Sequence, residues 1–173
     1  DGTMAFESTQ SFDGTQSVHD FAVGPDGSIY IAAWTLEDSG GGLSLRNNGA
    51  LLAKFDAQAR ETLWWTVFED GLNETLPHAL VLDGDSVIVA GRTRGALTPA
   101  ASAGEPSGFF VELSTDGVER ELQQFSTPNL QFFRDLAVSP EGEHFVSMFT
   151  RDDFAGFENQ GGTDTYVLER DRL

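Results

Sequence analysis

The sequence repeats itself, and few folds accommodate a chain that does. Three segments align without gaps: FAVGPDGSIYIAAWT from Phe21, ALVLDGDSVIVAGRT from Ala79 and LAVSPEGEHFVSMFT from Leu136. They begin 58 and 57 residues apart. Each reads as a strand, a tight turn and a second strand. Two further series keep step. Third-strand segments stand at Ala50 to Phe55, Phe109 to Leu113 and Thr165 to Leu168, and fourth-strand segments end at Phe12, Phe68 and Phe125.

Local chemistry supports the strands. Gly24-Pro25-Asp26-Gly27 and Ser139-Pro140-Glu141-Gly142 suit a type I turn, with proline second and glycine fourth. Asp83-Gly84 is a dipeptide favoured in type I′ hairpins. The second strands, Ile29 to Trp34, Val87 to Ala90 and Phe145 to Phe149, are apolar on both faces. Such strands are expected between two covering layers.

A four-stranded unit repeated along a chain points to an all-β, β-propeller-type repeat array of about three antiparallel blades, a partial propeller. One small twisted sheet cannot bury both its faces, but stacked sheets bury each other's. The expected organisation is one repeat domain over 1–173. The fourth strand of a preceding blade occupies 1–14, and repeats occupy 18–70, 76–127 and, incomplete, 133–173. A plain β-sandwich is the alternative, although it would not require a register of about 57 residues. Propellers close with four to eight blades, so three are expected to belong to a longer propeller or to join other copies of the chain.

The runs Asp20-Phe-Ala-Val, Asp135-Leu-Ala-Val, Val89-Ala-Gly-Arg-Thr and Gly161-Gly-Thr-Asp-Thr-Tyr-Val resemble the SBBP-type β-propeller repeat of bacterial secreted and surface proteins. The resemblance implies a propeller fold and an extracellular, cell-surface or periplasmic setting. It implies no catalytic residue. Two departures stand out. His78 occupies, in the gapless alignment, the place of Asp20 and Asp135. Lys54 keeps a basic residue after the third-strand run, where the other copies carry Glu112 and Glu169.

Charge narrows the partners. With 28 Asp and Glu against 10 Lys and Arg, the net charge is −18, which repels nucleic-acid phosphate and anionic lipid. No apolar run approaches the length of a membrane span, so membrane insertion is not expected. The segment Asp1 to Ser11 lacks the basic and apolar regions of a signal peptide. The absence of cysteine removes disulfides, thiolate metal sites and a cysteine nucleophile.

Candidate ligand-binding residues lie in the long loops between second and third strands: Glu37, Asp38, Arg46, Arg92, Arg94, Arg151, Asp152, Asp153 and Glu158. Loops placed by a rigid scaffold often bind, although such loops also serve as plain solvated connectors. Their carboxylates could take calcium, but no stretch has the complete calcium-loop spacing, and no cofactor is expected. Asp20, His78 and Asp135 head the first strands as polar residues facing the axis. Their two readings are backbone-binding groups at the blade start and a polar ring. His19, His78 and His144 lie far apart in sequence, and in the gapless alignment His19 matches Pro77, so no metal cluster is indicated. Trp64 and Trp65 are adjacent in a strand and should face opposite sides.

The function expected from these observations is a non-enzymatic extracellular module, contacting a protein or glycan through one face. Alternatives are a carbohydrate-active or other hydrolytic enzyme using loop carboxylates, and a structural subunit of a surface filament.

Overall fold

A computed structural model describes residues 15–36, 48–125, 131–154, 156 and 158–170. Among them are eleven strands and no helix. The strands are β1 (Thr15–Val23), β2 (Ile29–Leu36), β3 (Asn48–Phe55), β4 (Thr62–Phe68), β5 (Thr75–Asp83), β6 (Ser86–Thr93), β7 (Ser107–Ser114), β8 (Glu119–Phe125), β9 (Gln131–Val138), β10 (His144–Thr150) and β11 (Asp164–Arg170). All pairings are antiparallel, in three meandering sheets ordered β1-β2-β3-β4, β5-β6-β7-β8 and β9-β10-β11. The fourth strand expected to end at Phe12 lies outside the described residues.

The sheets stack face on face. β5 packs across β1, β2 and β3, and β9 packs across β5, β6 and β7, so the same step relates the first sheet to the second and the second to the third. Two apolar layers result. Tyr30, Ala32, Ala50, Leu52 and Phe68 of the first sheet meet Leu80, Val87, Val89, Phe109, Val111 and Leu113 of the middle one. On its other face, Ala79, Ile88, Ala90 and Phe110 meet Phe133, Leu136, Val146 and Met148 of the third sheet. Each large apolar side chain so enclosed is worth about 1.5–3 kcal/mol.

Burial follows from position in the stack. β6 is buried at six consecutive residues, Ser86 to Gly91, as a doubly covered strand must be. Burial in β10 alternates, and in β2 it nearly does. The expectation that all three second strands are buried on both faces therefore fails for the end sheets, which have one covering layer each. Ile31 is only half-buried, although its aligned counterpart Val89 is fully enclosed. The uncovered face of the first sheet exposes Phe21 and Trp65, which flank Ile31 and Ala53 in register.

Side chains at the turn end clip neighbouring sheets together. Lys54 Nζ and Trp64 Nε1 both donate to the Thr115 carbonyl, at 3.1 and 3.0 Å. The Lys54 ammonium also lies 5.1 Å from the Tyr30 ring centre. Between the second and third sheets, His144 Nε2 lies 2.9 Å from Asp83 Oδ2. Lys54, the only lysine in the chain, thus fills a structural role that Glu112 does not share. Glu112 instead accepts from Ser86 Oγ at 2.6 Å.

The turn after each first strand sets the register. In the first sheet Gly24 and Ser28 close a three-residue loop, with Gly27 at φ 83°. Ser139 and Glu143 close an equivalent loop in the third sheet, with Gly142 at φ 86°. In the middle sheet Asp83 pairs directly with Ser86. The turn residues are Gly84 and Asp85, and Gly84 alone has positive φ, 59°. That is a type II′ turn with glycine first, where a type I′ turn on Asp83-Gly84 was expected. Val23 faces Ile29 and Val138 faces His144, yet the corresponding Val81 faces Ile88. The shorter turn moves β5 by one residue, and a one-residue slip exchanges the two faces of a strand.

Candidate functional site

That slip changes which residues belong together. Each first strand carries a β-bulge at the same place. The extra residue is His19 in β1 (between Val18 and Asp20), His78 in β5 (between Pro77 and Ala79) and Arg134 in β9 (between Phe133 and Asp135). The three bulges lie opposite Ala32/Ala33, Ala90/Gly91 and Ser147/Met148, which match in the gapless alignment of the second strands. His78 therefore corresponds to His19 and Arg134. Its expected match with Asp20 and Asp135 is corrected, and the residue in register with those aspartates is Ala79.

The bulge residues form a continuous row. The rings of His19 and His78 meet edge to face, with centres 6.1 Å apart. Arg134 Nη1 lies 3.1 Å from His78 Nδ1. The Arg134 guanidinium is also 5.8 Å from the Phe149 ring centre. Arginine has no acceptor to offer, so at this contact His78 Nδ1 accepts and the imidazole is neutral. Burial, then the charges of Arg134, Arg92 and His19, push the His78 pKa from 6.5 down to about 4.

Linkage fixes the sign of the consequence. The unfolded chain takes up a proton at His78 near pH 6.5, whereas the folded chain does so near 4. Stability conferred by this group is complete above 6.5 and is lost as pH falls toward 4. After discounting for solvent screening, the expected loss is about 1–2 kcal/mol. Urea unfolding at a series of pH values measures it, and His78→Gln should flatten that segment of the profile.

The aspartates that follow the bulges bind backbone. Asp20 accepts from its neighbour Phe21 N at 2.9 Å and, across the sheet boundary, from Leu80 N at 2.7 Å. β5 is an edge strand, so this carboxylate satisfies an amide that the ladder leaves open. Asp135 accepts from Leu136 N at 2.9 Å.

The loop candidates occupy the opposite end of the sheets from the short turns. Glu37, Asp38 and Arg46 lie outside the described residues. Arg92 pairs with Glu74 at 2.5 Å, and Arg94 donates to the Gly104 carbonyl at 3.1 Å. Asp70 pins this loop, accepting from Leu72 N, Asn73 N, Asn73 Nδ2 and Ala96 N. Burial works to raise the Asp70 carboxyl, but those hydrogen bonds outweigh it and hold the group below the usual range. Gln124 bridges Leu97 N and the Gly95 carbonyl.

The next loop is organised by its own acids. Asp153 accepts from Asn159 N and Asp164 from Gln160 N, both at 2.7 Å. Arg151 Nε donates to Thr163 Oγ1 at 3.2 Å, and Asp152 N donates to Thr150 Oγ1 at 3.0 Å. Glu158, Gln160, Asp164 and Tyr166 line a shallow depression of about 550 Å3. Among the described residues no three His, Cys, Asp or Glu side chains gather as a metal site. Trp64 faces the core while Trp65 is 59 % exposed.

No protein-family model matches the chain. No curated protein matches it significantly.

Arg134 escaped the reading of the sequence because it is chemically unlike the histidines it aligns with in space. The usable signal was turn length: Gly84-Asp85 closes a hairpin shorter than Pro25-Asp26-Gly27 does, which implies a one-residue offset upstream.

Proposed function

We propose that the chain is a non-enzymatic, propeller-type module of the SBBP kind, working outside the bacterial cytoplasm and contacting a protein or glycan through loops at one end. The observation that carries this reading is the repeated step between sheets, with the same bulge in each first strand, which suits successive blades. The loop after β6, tied down by Asp70 and Gln124, offers a preformed surface. The depression lined by Glu158, Gln160, Asp164 and Tyr166 offers carboxylates, an amide and a phenol for hydrogen bonding. A glycan array and a pull-down from a surface-protein extract, run with the full chain and with the 94–106 loop replaced by glycine and serine, test this. Binding lost on replacement supports the reading, and hydrolytic turnover without binding would overturn it.

The proposal involves no calcium, since Asp153 and Asp164 already serve their own loop amides. Adding calcium should leave the thermal midpoint within about 10 °C of its starting value, because tight binding to the native state would raise it further.

The exposed apolar residues of the first sheet favour a role in assembly as a second reading. Val18, Phe21, Val23 and Trp65 are each more than half exposed. In the middle sheet the face aligned with that of Phe21 and Ile31 is covered by the neighbouring sheet. Light scattering should show association that grows with concentration. A compact monomer at every concentration would remove the assembly reading.

A further inference from the structure

We infer that the bulge row His19, His78 and Arg134 is a binding site for a small oxyanion, a carboxylate or a phosphate, taken up together with a proton on His78. The site is separate from the loop surface proposed above, and its test is independent of that reading.

A bulge re-aims a side chain, and such features concentrate where a strand edge is put to use. Here three bulges in step bring two imidazoles and a guanidinium into one row on three adjacent first strands. The Phe149 ring beneath the guanidinium limits the ordering needed to bind. Arginine offers paired N–H donors in a plane, the arrangement that suits carboxylate and phosphate oxygens.

The charges around His78 explain why an anion is the complementary ligand. His19 faces it from β1, Arg92 from β6 and Arg134 from β9. Two of these are fixed cations, and they suppress protonation of the ring. Asp20 accepts from Leu80 N, Asp135 accepts from Leu136 N, and Glu74 pairs with Arg92. An oxyanion accepting from Arg134 would offset the positive field. His78 Nδ1, released from its contact with Arg134, could then take a proton from solvent and donate a second hydrogen bond to the same anion. The same cations disfavour a metal ion. The chain's charge of −18 opposes the approach of any anion, so the association should be weak and should tighten as pH falls.

The test is histidine-ring NMR on the 15N-labelled full chain, titrated through the acid range. Inorganic phosphate and trifluoroacetate, a carboxylate that stays ionised throughout the acid range, are the probes, each at about 20 mM, against chloride at equal ionic strength, since binding to one protonation state shifts the midpoint by mass action. The expected result is a rise of about one pH unit in the His78 midpoint, which requires the anion to prefer the protonated form at least tenfold. In Arg134→Gln the midpoint should start higher, because a cation is gone, and should no longer respond to the anion. Arg134 is exposed, so this variant should fold. Phosphate acting alone would assign the site to phosphate esters, and both anions acting would include carboxylates. A midpoint that neither anion moves, or that moves equally in Arg134→Gln, would overturn the proposal.

Discussion

Val89→Asp should leave the chain unable to fold. Val89 lies in β6 with no exposure, against Leu80 on one side and Val111 on the other. Its side chain enters the layer shared with Tyr30 and Leu52 of the first sheet. An aspartate there loses the valine's burial, about 1.5–3 kcal/mol, and places an unpaired carboxylate in an apolar layer at a further cost of several kcal/mol. That total rivals the whole stability of a typical domain. The aligned Ile31 provides the comparison. Ile31 is half-buried on the uncovered face of the first sheet, so Ile31→Asp should cost much less in the isolated chain. Circular dichroism and urea unfolding of both variants measure the difference. A folded Val89→Asp protein would contradict the middle position of β6, and equal losses would indicate that the outer face is covered in solution.

Gly91→Ala should be nearly as damaging, for steric reasons. A Cβ at Gly91 would sit 2.1 Å from the Leu76 carbonyl oxygen and 2.9 Å from Pro77 Cα. Both obstacles are backbone, so no rotamer change relieves them. β5 and β6 would have to separate beside the bulge at His78. The expected cost is about 3–5 kcal/mol, at the top of the range for a single substitution. The positions aligned with Gly91 are Ala33 and Met148, so the first and third sheets already carry a Cβ there. A thermal midpoint close to that of the parent would show that the approach of β5 is looser than described. A large fall, with ring signals of His78 displaced, would tie the glycine to the bulge.

Much of the fold was legible because its signals are local. Pro25-Asp26-Gly27 and Pro140-Glu141-Gly142 announce their turns, and the recurrence of apolar runs every 57 residues or so announces their partners. In the one repeat that lacks proline, the two-residue turn lies one residue later than Asp83-Gly84, and the gapless alignment takes no account of its being shorter than the other two. An alignment without gaps treats Leu82 to Ser86 as equal to Gly24 to Ser28, whereas the pairing shortens the loop to two residues. From that single difference followed the misplacement of His78 and the neglect of Arg134. Burial was misjudged at Ile31 for another reason: a strand's composition does not say whether its sheet ends a stack or lies within one. Among the loop candidates, Asp153 looked like a ligand because free and capping carboxylates are identical in sequence. Only the fold shows that it holds the amide of Asn159.

The stacking order has a dynamic consequence. Sheets that touch only their immediate neighbours behave as a short one-dimensional chain, whose stability is a sum of unit and junction contributions. The middle sheet belongs to both junctions, so opening it breaks both, while opening an end sheet breaks one. Amide hydrogen exchange should therefore be graded along the stack. Protection should be greatest in β6 and β7, near the global unfolding limit, and should fall toward β1 and β11 through partial openings that leave the centre intact.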